Sequence, residues 1–341
     1  MSSICRSRKT LAIMLYPLKF RPRLFHKIWG GQRIRGWYAD VPADYDNVGE
    51  SWVISAVEKY PTEVANGHLA GDQLSDLIAV YFDELVGGRV YERFGETFPL
   101  LLKFIDADDD LSIQVHPNDE QAADLEQSLG KTEMWYVMPE STPDASIIKG
   151  WTTEMNPSLI HAAIQDGSLA RHLGHYPVRP GDVAVIESGS VHALKRGTVI
   201  AEIQENSDIT YRLYDYNRVG NDGRQRPLML DKALRVLNFS AMPCTLHTAT
   251  GSGEENLART PYFTTNLLTF SAPLERDYAP IDSFVAYMCV AGSCEVVAPE
   301  SDPEEQHHTL SVGEAILIPA CLNDISLRPT SPECRLLEIY V

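Results

Sequence analysis

Short strand-like segments separated by turn residues restrict the fold of this chain more than any other feature. ESWVISAV, FPLLLKFIDA, LSIQVH, MWYVM, DVAVI, TVIAEIQ and ITYRLYDY are the clearest, with Gly, Asp, Asn or Pro between them. This spacing predicts a sandwich or a barrel. Helices are fewer. The best spans Asp72 to Leu85, where Leu74, Leu77, Ile78, Tyr81, Phe82 and Leu85 recur at helical spacing and Gly87-Gly88 reads as a stop. Two shorter helices are expected in NDEQAADLEQSLG, capped by Asn118 or Asp119, and in NPSLIHAAIQDG, capped by Asn156 with Pro157 in the first turn.

At 341 residues the chain exceeds what one hydrophobic core usually supports, which favours about two domains. A polar loop, NRVGNDGRQRP, followed by the helical-looking LMLDKALRVLNF and a Thr/Gly/Ser-rich stretch, puts a boundary near residue 244. No apolar run approaches the roughly 20 residues of a membrane span. With 29 basic against 47 acidic residues the net charge is −18, which argues against nucleic acid and anionic membrane as partners. A phosphorylated small molecule would need a locally basic pocket. The six cysteines form no CxxC pair, so a reduced, cytoplasmic protein is expected. The basic start MSSICRSRKTLAIML carries too short an apolar run for a signal peptide; residues 1–13 are expected to be a disordered extension, with Met14 a possible true start.

A phrase recurs in both halves: GDVAVIESGSVHAL from Gly181 and GEAILIPACLNDISL from Gly313. The first copy resembles the second sequence motif of the cupin superfamily, with Glu187, Gly189 and His192 in order. In the second copy Cys321 stands at the glycine position and Asp324 at the histidine position. The C-terminal copy thus resembles a cupin barrel without its metal ligand.

LSIQVHPND places Ser112, Gln114 and His116 on one strand face, with Leu111, Ile113 and Val115 on the other. A half-exposed strand would show the same alternation. KTEMWYV adds Lys131 and Glu133 on one face, a pair that alone reads as a solvated edge, and His192 alone reads as a surface or core histidine. Together Gln114, His116, Glu133 and His192 offer an amide oxygen, two imidazoles and one carboxylate. That donor set suits a single Zn2+ acting as a Lewis acid.

FPLLLKFIDADDDLSIQVHPND, GKTEMWYV, GSVHAL and IQENSDITYRLYDYNR, with GESWVIS upstream, resemble the signature segments of the type I mannose-6-phosphate isomerases in their shorter bacterial form. The resemblance implies a mainly β fold of two cupin-like jelly-roll barrels with a few peripheral helices. It also implies a catalytic domain at 14–243 and a C-terminal β domain at 244–341 that lacks metal ligands. One zinc per chain would be held by Gln114, His116, Glu133 and His192. Arg212 matches the family's active-site arginine, Glu202 an acidic pocket residue, and Ser112, Lys103 and Lys131 polar groups near the substrate. Arg218 stands where the fungal enzymes use a lysine near the phosphate, and Trp29 resembles a pocket residue.

The implied reaction interconverts mannose 6-phosphate and fructose 6-phosphate through an enediol, in a monomer or weak homodimer. It needs a base, charge stabilisation and a phosphate clamp. Arg212 is too basic to accept a proton, but it can hold an oxyanion or the phosphate. Its tyrosine neighbours also fit a structural stacking role. Glu202, Lys131 and a zinc-bound water all remain open as proton carrier, with Glu202 favoured. The rival readings are a non-catalytic sugar-phosphate-binding cupin and an iron-dependent cupin oxygenase.

Overall fold

The structure is a computed structural model that describes residues 14–39, 41, 45–220 and 223–341; the extension expected at 1–13 lies outside them. Its strands form four antiparallel sheets in two sandwiches. In the first sandwich, a seven-stranded sheet runs His247–Thr248, Asp182–Ile186, Glu133–Val137, Thr198–Glu205, Leu100–Ala107, Arg23–Gly31, Val48–Ile54. It faces a five-stranded sheet ordered Tyr211–Tyr214, Ile113–Val115, His192–Leu194, Ser146–Trp151, Leu173–Pro177. The second sandwich pairs another seven-stranded sheet with a four-stranded one and is built mainly from residues after Gly253.

Leu100–Ala107 shows why the layers stack. All of its residues are buried, because the two strand faces meet different layers. Leu100, Leu102 and Phe104 point outward and join Ala286, Met288, Leu337 and Ile339 of the second sandwich in one apolar cluster. Ile105 and Ala107 turn inward and pack with Trp29 and Trp135. The two seven-stranded sheets therefore sit back to back, and the polar residue on the inward face, Lys103, has nowhere to go except the interior of the first sandwich.

The expected repeat is real at the backbone level. Gly181 and Gly313 both adopt left-handed conformations, φ 89° and 87°, before the strands Asp182–Ile186 and Ala315–Ile318. A Cβ on Gly313 would also lie 2.6 Å from the Trp37 ring. The connectivity is less tidy than the repeat. Leu18–Arg21 pairs with Ala315–Ile318, so the start of the described chain is a strand of the second sandwich, while His247–Thr248 returns to pair with Asp182–Ile186 of the first.

The helices follow the sequence expectation with one correction. Leu74–Val86 forms, but Phe82 is non-helical at φ 48°, and after Gly87 a second helix, Gly88–Phe94, begins. Gly87 stops the first helix through its φ of 92°, and the chain then resumes because Asp282 accepts hydrogen bonds from Gly88 N and Arg89 N at 2.6 and 2.9 Å. Asn118 and Gln121 form a full capping box on Asp119–Glu126, and Asn156 caps Pro157–Gln165.

Candidate active site

Strand register assembles the site. In the five-stranded sheet, Gln114 lies opposite His192 on one side and Arg212 on the other, and directly paired residues share a face. Ile113 and Val115 project to the opposite side and pack with Trp151, Tyr211 and Leu213. Leu111 departs from the expected alternation: the strand proper starts at Ile113, and Leu111 packs with Trp29, Trp135 and Leu194 and lines the cavity. The Gly189 turn bonds to the His116 carbonyl at 2.8 Å, which ties the loop preceding His192 to the segment carrying His116. Across the sandwich Glu133 begins its strand opposite Gln204.

These elements bring His116, Glu133 and His192 together as a fully buried group able to hold a metal ion. The two Nε2 atoms are 3.1 Å apart, and the Glu133 oxygens lie 3.4 and 3.5 Å from them. His192 Nδ1 is 2.9 Å from the Ser190 carbonyl, so Nδ1 carries the proton and Nε2 presents a lone pair. Burial holds both imidazoles below their ordinary pKa, His116 well below, with the Lys131 charge adding to the effect. Neutral imidazoles beside a carboxylate that accepts no hydrogen bond among the described residues are a donor set suited to a divalent cation. Lys131 lies 3.2 Å from both Glu133 and His116, and its ammonium balances the carboxylate.

In front of this group opens a cavity of about 350 Å³. Of the residues singled out from sequence, Trp29, Lys103, Ser112, Gln114, Lys131, Glu202 and Arg212 line it. Arg218 does not. It pairs with Asp215 at 2.6 Å and Asp109 at 3.2 Å, beside the Tyr216 ring.

One wall is a row of paired charges, of which the sequence singles out Lys103 and Glu202 but not Glu50 and Lys27. Trp52, Lys103, Glu202 and Trp135 lie in register across four strands. Lys103 Nζ is 2.6 Å from Glu202 Oε2, and Trp135 Nε1 donates to Glu202 Oε1 at 2.7 Å. The pattern repeats beside it, where Trp52 Nε1 donates to Glu50 Oε2 at 2.7 Å and Lys27 sits 3.0 Å from Oε1. Burial alone would raise the Glu50 carboxyl, but Lys27, Lys103 and the indole outweigh it and hold the pKa at about 2. Burial, reinforced by Lys131, brings the Lys103 ammonium down to about 7. Trp135 is thus a hydrogen-bond donor of the site. Arg226 and Lys27 also line the cavity and were missed, because neither a polar loop nor the strand Arg23–Gly31, with its mixed and partly exposed residues, marks which residue faces inward.

Comparison with known proteins gives the family and the fold. Residues 18–147 match the family model of the phosphomannose isomerase type I catalytic domain. Mannose-6-phosphate isomerase ManA of Bacillus subtilis is 39% identical over 231 residues, 67% of this chain and 70% of that protein. Another Bacillus subtilis relative, YvyI, is 32% identical over 331 residues, 95% of this chain and 99% of its own length. Among solved structures, the mannose 6-phosphate isomerase of Bacillus subtilis superposes with a TM-score of 0.80 at 30% identity, covering 96% of this chain and 100% of that one. The apo enzyme from Salmonella typhimurium, at 17% identity and TM-score 0.73, shares the fold over 96% of this chain and 99% of its own. With relatives matched along nearly the whole length and a buried His/Glu/His group set at the cavity, the chain belongs to the type I phosphomannose isomerase family.

Proposed function

We propose that this protein interconverts mannose 6-phosphate and fructose 6-phosphate through an enediol, using one zinc ion. The observation that carries the reading is the buried His116, Glu133 and His192 group, which touches Lys131 and is in register with Gln114, beside a cavity that Gln114 and Lys131 line together with Arg212, Lys103 and Glu202. Gln114, His116, Glu133 and His192 would hold the zinc. When bound, it supplies Lewis-acid polarisation of a sugar oxygen.

The remaining steps fall to the chain's own side chains. Moving the carbonyl between C1 and C2 requires a proton to leave one carbon and reach the other. Glu202 is the carrier we favour: it is buried at the cavity wall, with Oε1 held by Trp135 and Oε2 beside Lys103. Lys103 Nζ, 2.6 Å from Oε2, places a positive charge beside this carboxylate. Arg212 stays charged and faces the cavity, where it stabilises negative charge on the substrate. Ser112 offers a hydroxyl on the same wall, and Trp29 and Leu111 supply apolar surface that limits water. Lys131 contributes positive charge next to the metal group.

The locally basic cavity satisfies the requirement that a chain of net charge −18 would otherwise fail. Five described cysteines are free thiols, which supports a reducing, cytoplasmic setting. No helix among the described residues is long and apolar enough to cross a membrane. The reading is tested by measuring conversion of mannose 6-phosphate by protein of known zinc content. A zinc-loaded sample with no turnover contradicts it.

A further inference from the structure

The loop after Tyr211–Tyr214 has a specific construction. Tyr216 and Asn217 both adopt φ 55°, and Arg218 N donates to Asp215 O at 3.0 Å, closing a turn whose two central residues are left-handed. Val219 then bridges Gln225, so the chain doubles back and brings two arginines onto one buried carboxylate. Arg226 grips Asp215 with a fork, Nε to Oδ2 at 2.7 Å and Nη2 to Oδ1 at 2.6 Å, while Arg218 Nη2 reaches Oδ1 at 2.6 Å. Only one of the two is turned to the cavity: Arg226 lines it, and Arg218 reaches outward to the exposed Asp109.

Arg212 lines the same cavity, and its buried Nε has no hydrogen-bond partner among the described residues. Burial and the nearby charge of Arg226 lower the Arg212 pKa, against the opposing pull of Asp215 and Glu50. Two mutually repelling guanidinium groups facing one cavity, one of them with a buried donor unused, form an arrangement that an anion between them would relieve. A phosphate dianion offers several acceptor oxygens, enough to take the unused Nε of Arg212 and the N–H groups of Arg226 that Asp215 does not engage.

We propose that Arg226 is a specificity-determining residue that binds the phosphate of the sugar phosphate together with Arg212, and that Arg218 is a positioning residue acting through Asp215. This assignment rests on the sugar-phosphate reading above and deepens it.

The test uses full-length zinc-loaded protein with Arg226→Gln, Arg226→Lys, Arg218→Gln and Arg218→Lys. Two readouts are taken: steady-state kinetics on mannose 6-phosphate with inorganic phosphate as competitor, and the rise in unfolding temperature that inorganic phosphate produces without substrate. Arg226→Gln is expected to raise KM and the inhibition constant of phosphate by about ten- to a hundredfold, the scale of a charge-assisted hydrogen bond or two, with a smaller change in kcat. It should also abolish the thermal shift. Arg218→Gln should raise KM less, and Arg218→Lys should restore it. If Arg226→Gln does not fold, Arg226→Lys keeps the charge against Asp215 and should still weaken phosphate inhibition. Phosphate constants unchanged in that variant, or raised as much by Arg218→Gln, overturn the assignment. A wild-type protein that shows the phosphate shift but no turnover refutes the isomerase reading and leaves the anion site standing, whereas no phosphate shift in the wild type refutes the anion site.

Discussion

His192 shows how much chemistry one side chain inherits from its neighbours. Its Nδ1 is committed to Ser190 O and its Nε2 faces His116 and Glu133, so tautomer and direction are both set before any ligand arrives. Arg212 is the opposite case, a charged group in register with Gln114 that turns to the cavity rather than to the metal group. These differences predict different failures. Replacing His116 or His192 with alanine should lower both zinc content and turnover. Arg212→Ala should keep zinc and lose about a hundredfold to a thousandfold in turnover, the cost of removing a group that stabilises developing charge. Metal analysis beside kinetics separates the two, and an Arg212→Ala protein that loses its zinc would place that residue in the metal site instead.

Among the elements, the segment from Asn118 to Glu133 supports the site from behind. Gly130 N bonds Asp119 Oδ1 at 2.8 Å and Lys131 N bonds Pro117 O at 3.0 Å, which folds the chain back against the start of helix Asp119–Glu126. A Cβ on Gly130 would come within 2.6 Å of Asp119 N. Gly130→Ala should therefore cost about 1 to 3 kcal/mol as an overpacking defect and reduce zinc retention by moving Lys131 and Glu133. Calorimetry and metal analysis check it, and wild-type zinc affinity in a destabilised variant would break the link.

Glu205 braces the same segment, accepting from Thr132 N at 2.7 Å and hydrogen-bonding Asp119. Burial, with Asp119 beside it, raises its pKa from 4.5 to about 8. Between those values the folded state binds more protons than the unfolded chain, so this group's contribution to stability falls as pH rises, by about 1.4 kcal/mol per unit at most. Glu205→Gln keeps the Thr132 acceptor and removes the titration. Its unfolding temperature should fall less than that of the wild type between pH 5 and pH 8; parallel curves would contradict the assignment.

The same elements show what the sequence made legible. The alternation in Ile113–Val115 and the order of Glu133, His192 and Arg212 were readable because strand period and residue chemistry are local. Leu111 was misread because a strand's first residue is set by pairing, here Leu111 N to Leu194 O, and not by its neighbours in sequence. Gly88–Phe94 was missed because a glycine pair signals a stop but not the Asp282 cap that restarts the helix. Arg226 carried no local signal at all; the two left-handed residues of the turn that precedes it are Tyr and Asn, not the glycines that usually mark such turns.

At the scale of the whole molecule, the proposed division into 14–243 and 244–341 is crossed in both directions, by Leu18–Arg21 and by His247–Thr248. The two large sheets also share one apolar cluster, in which Leu102, Phe104 and Ile203 meet Met288, Leu317 and Leu337. All residues of the metal group and the cavity precede residue 230, yet the sheet that carries Lys103 and Glu202 has its outer face covered by the second sandwich. A fragment ending at residue 243 should therefore expose that face and aggregate, while the complete chain should unfold in one calorimetric transition. A folded, monomeric and fully active fragment would show that the second sandwich is dispensable.

The central claim is tested most directly by following mannose 6-phosphate by NMR in deuterated water with protein first stripped of metal and then reconstituted with one equivalent of zinc. The account predicts that the reconstituted protein forms fructose 6-phosphate with exchange of the C2 proton into solvent, and that the stripped protein does neither. Equal turnover by the two samples, or zinc bound at the site with no exchange at C2, would contradict it.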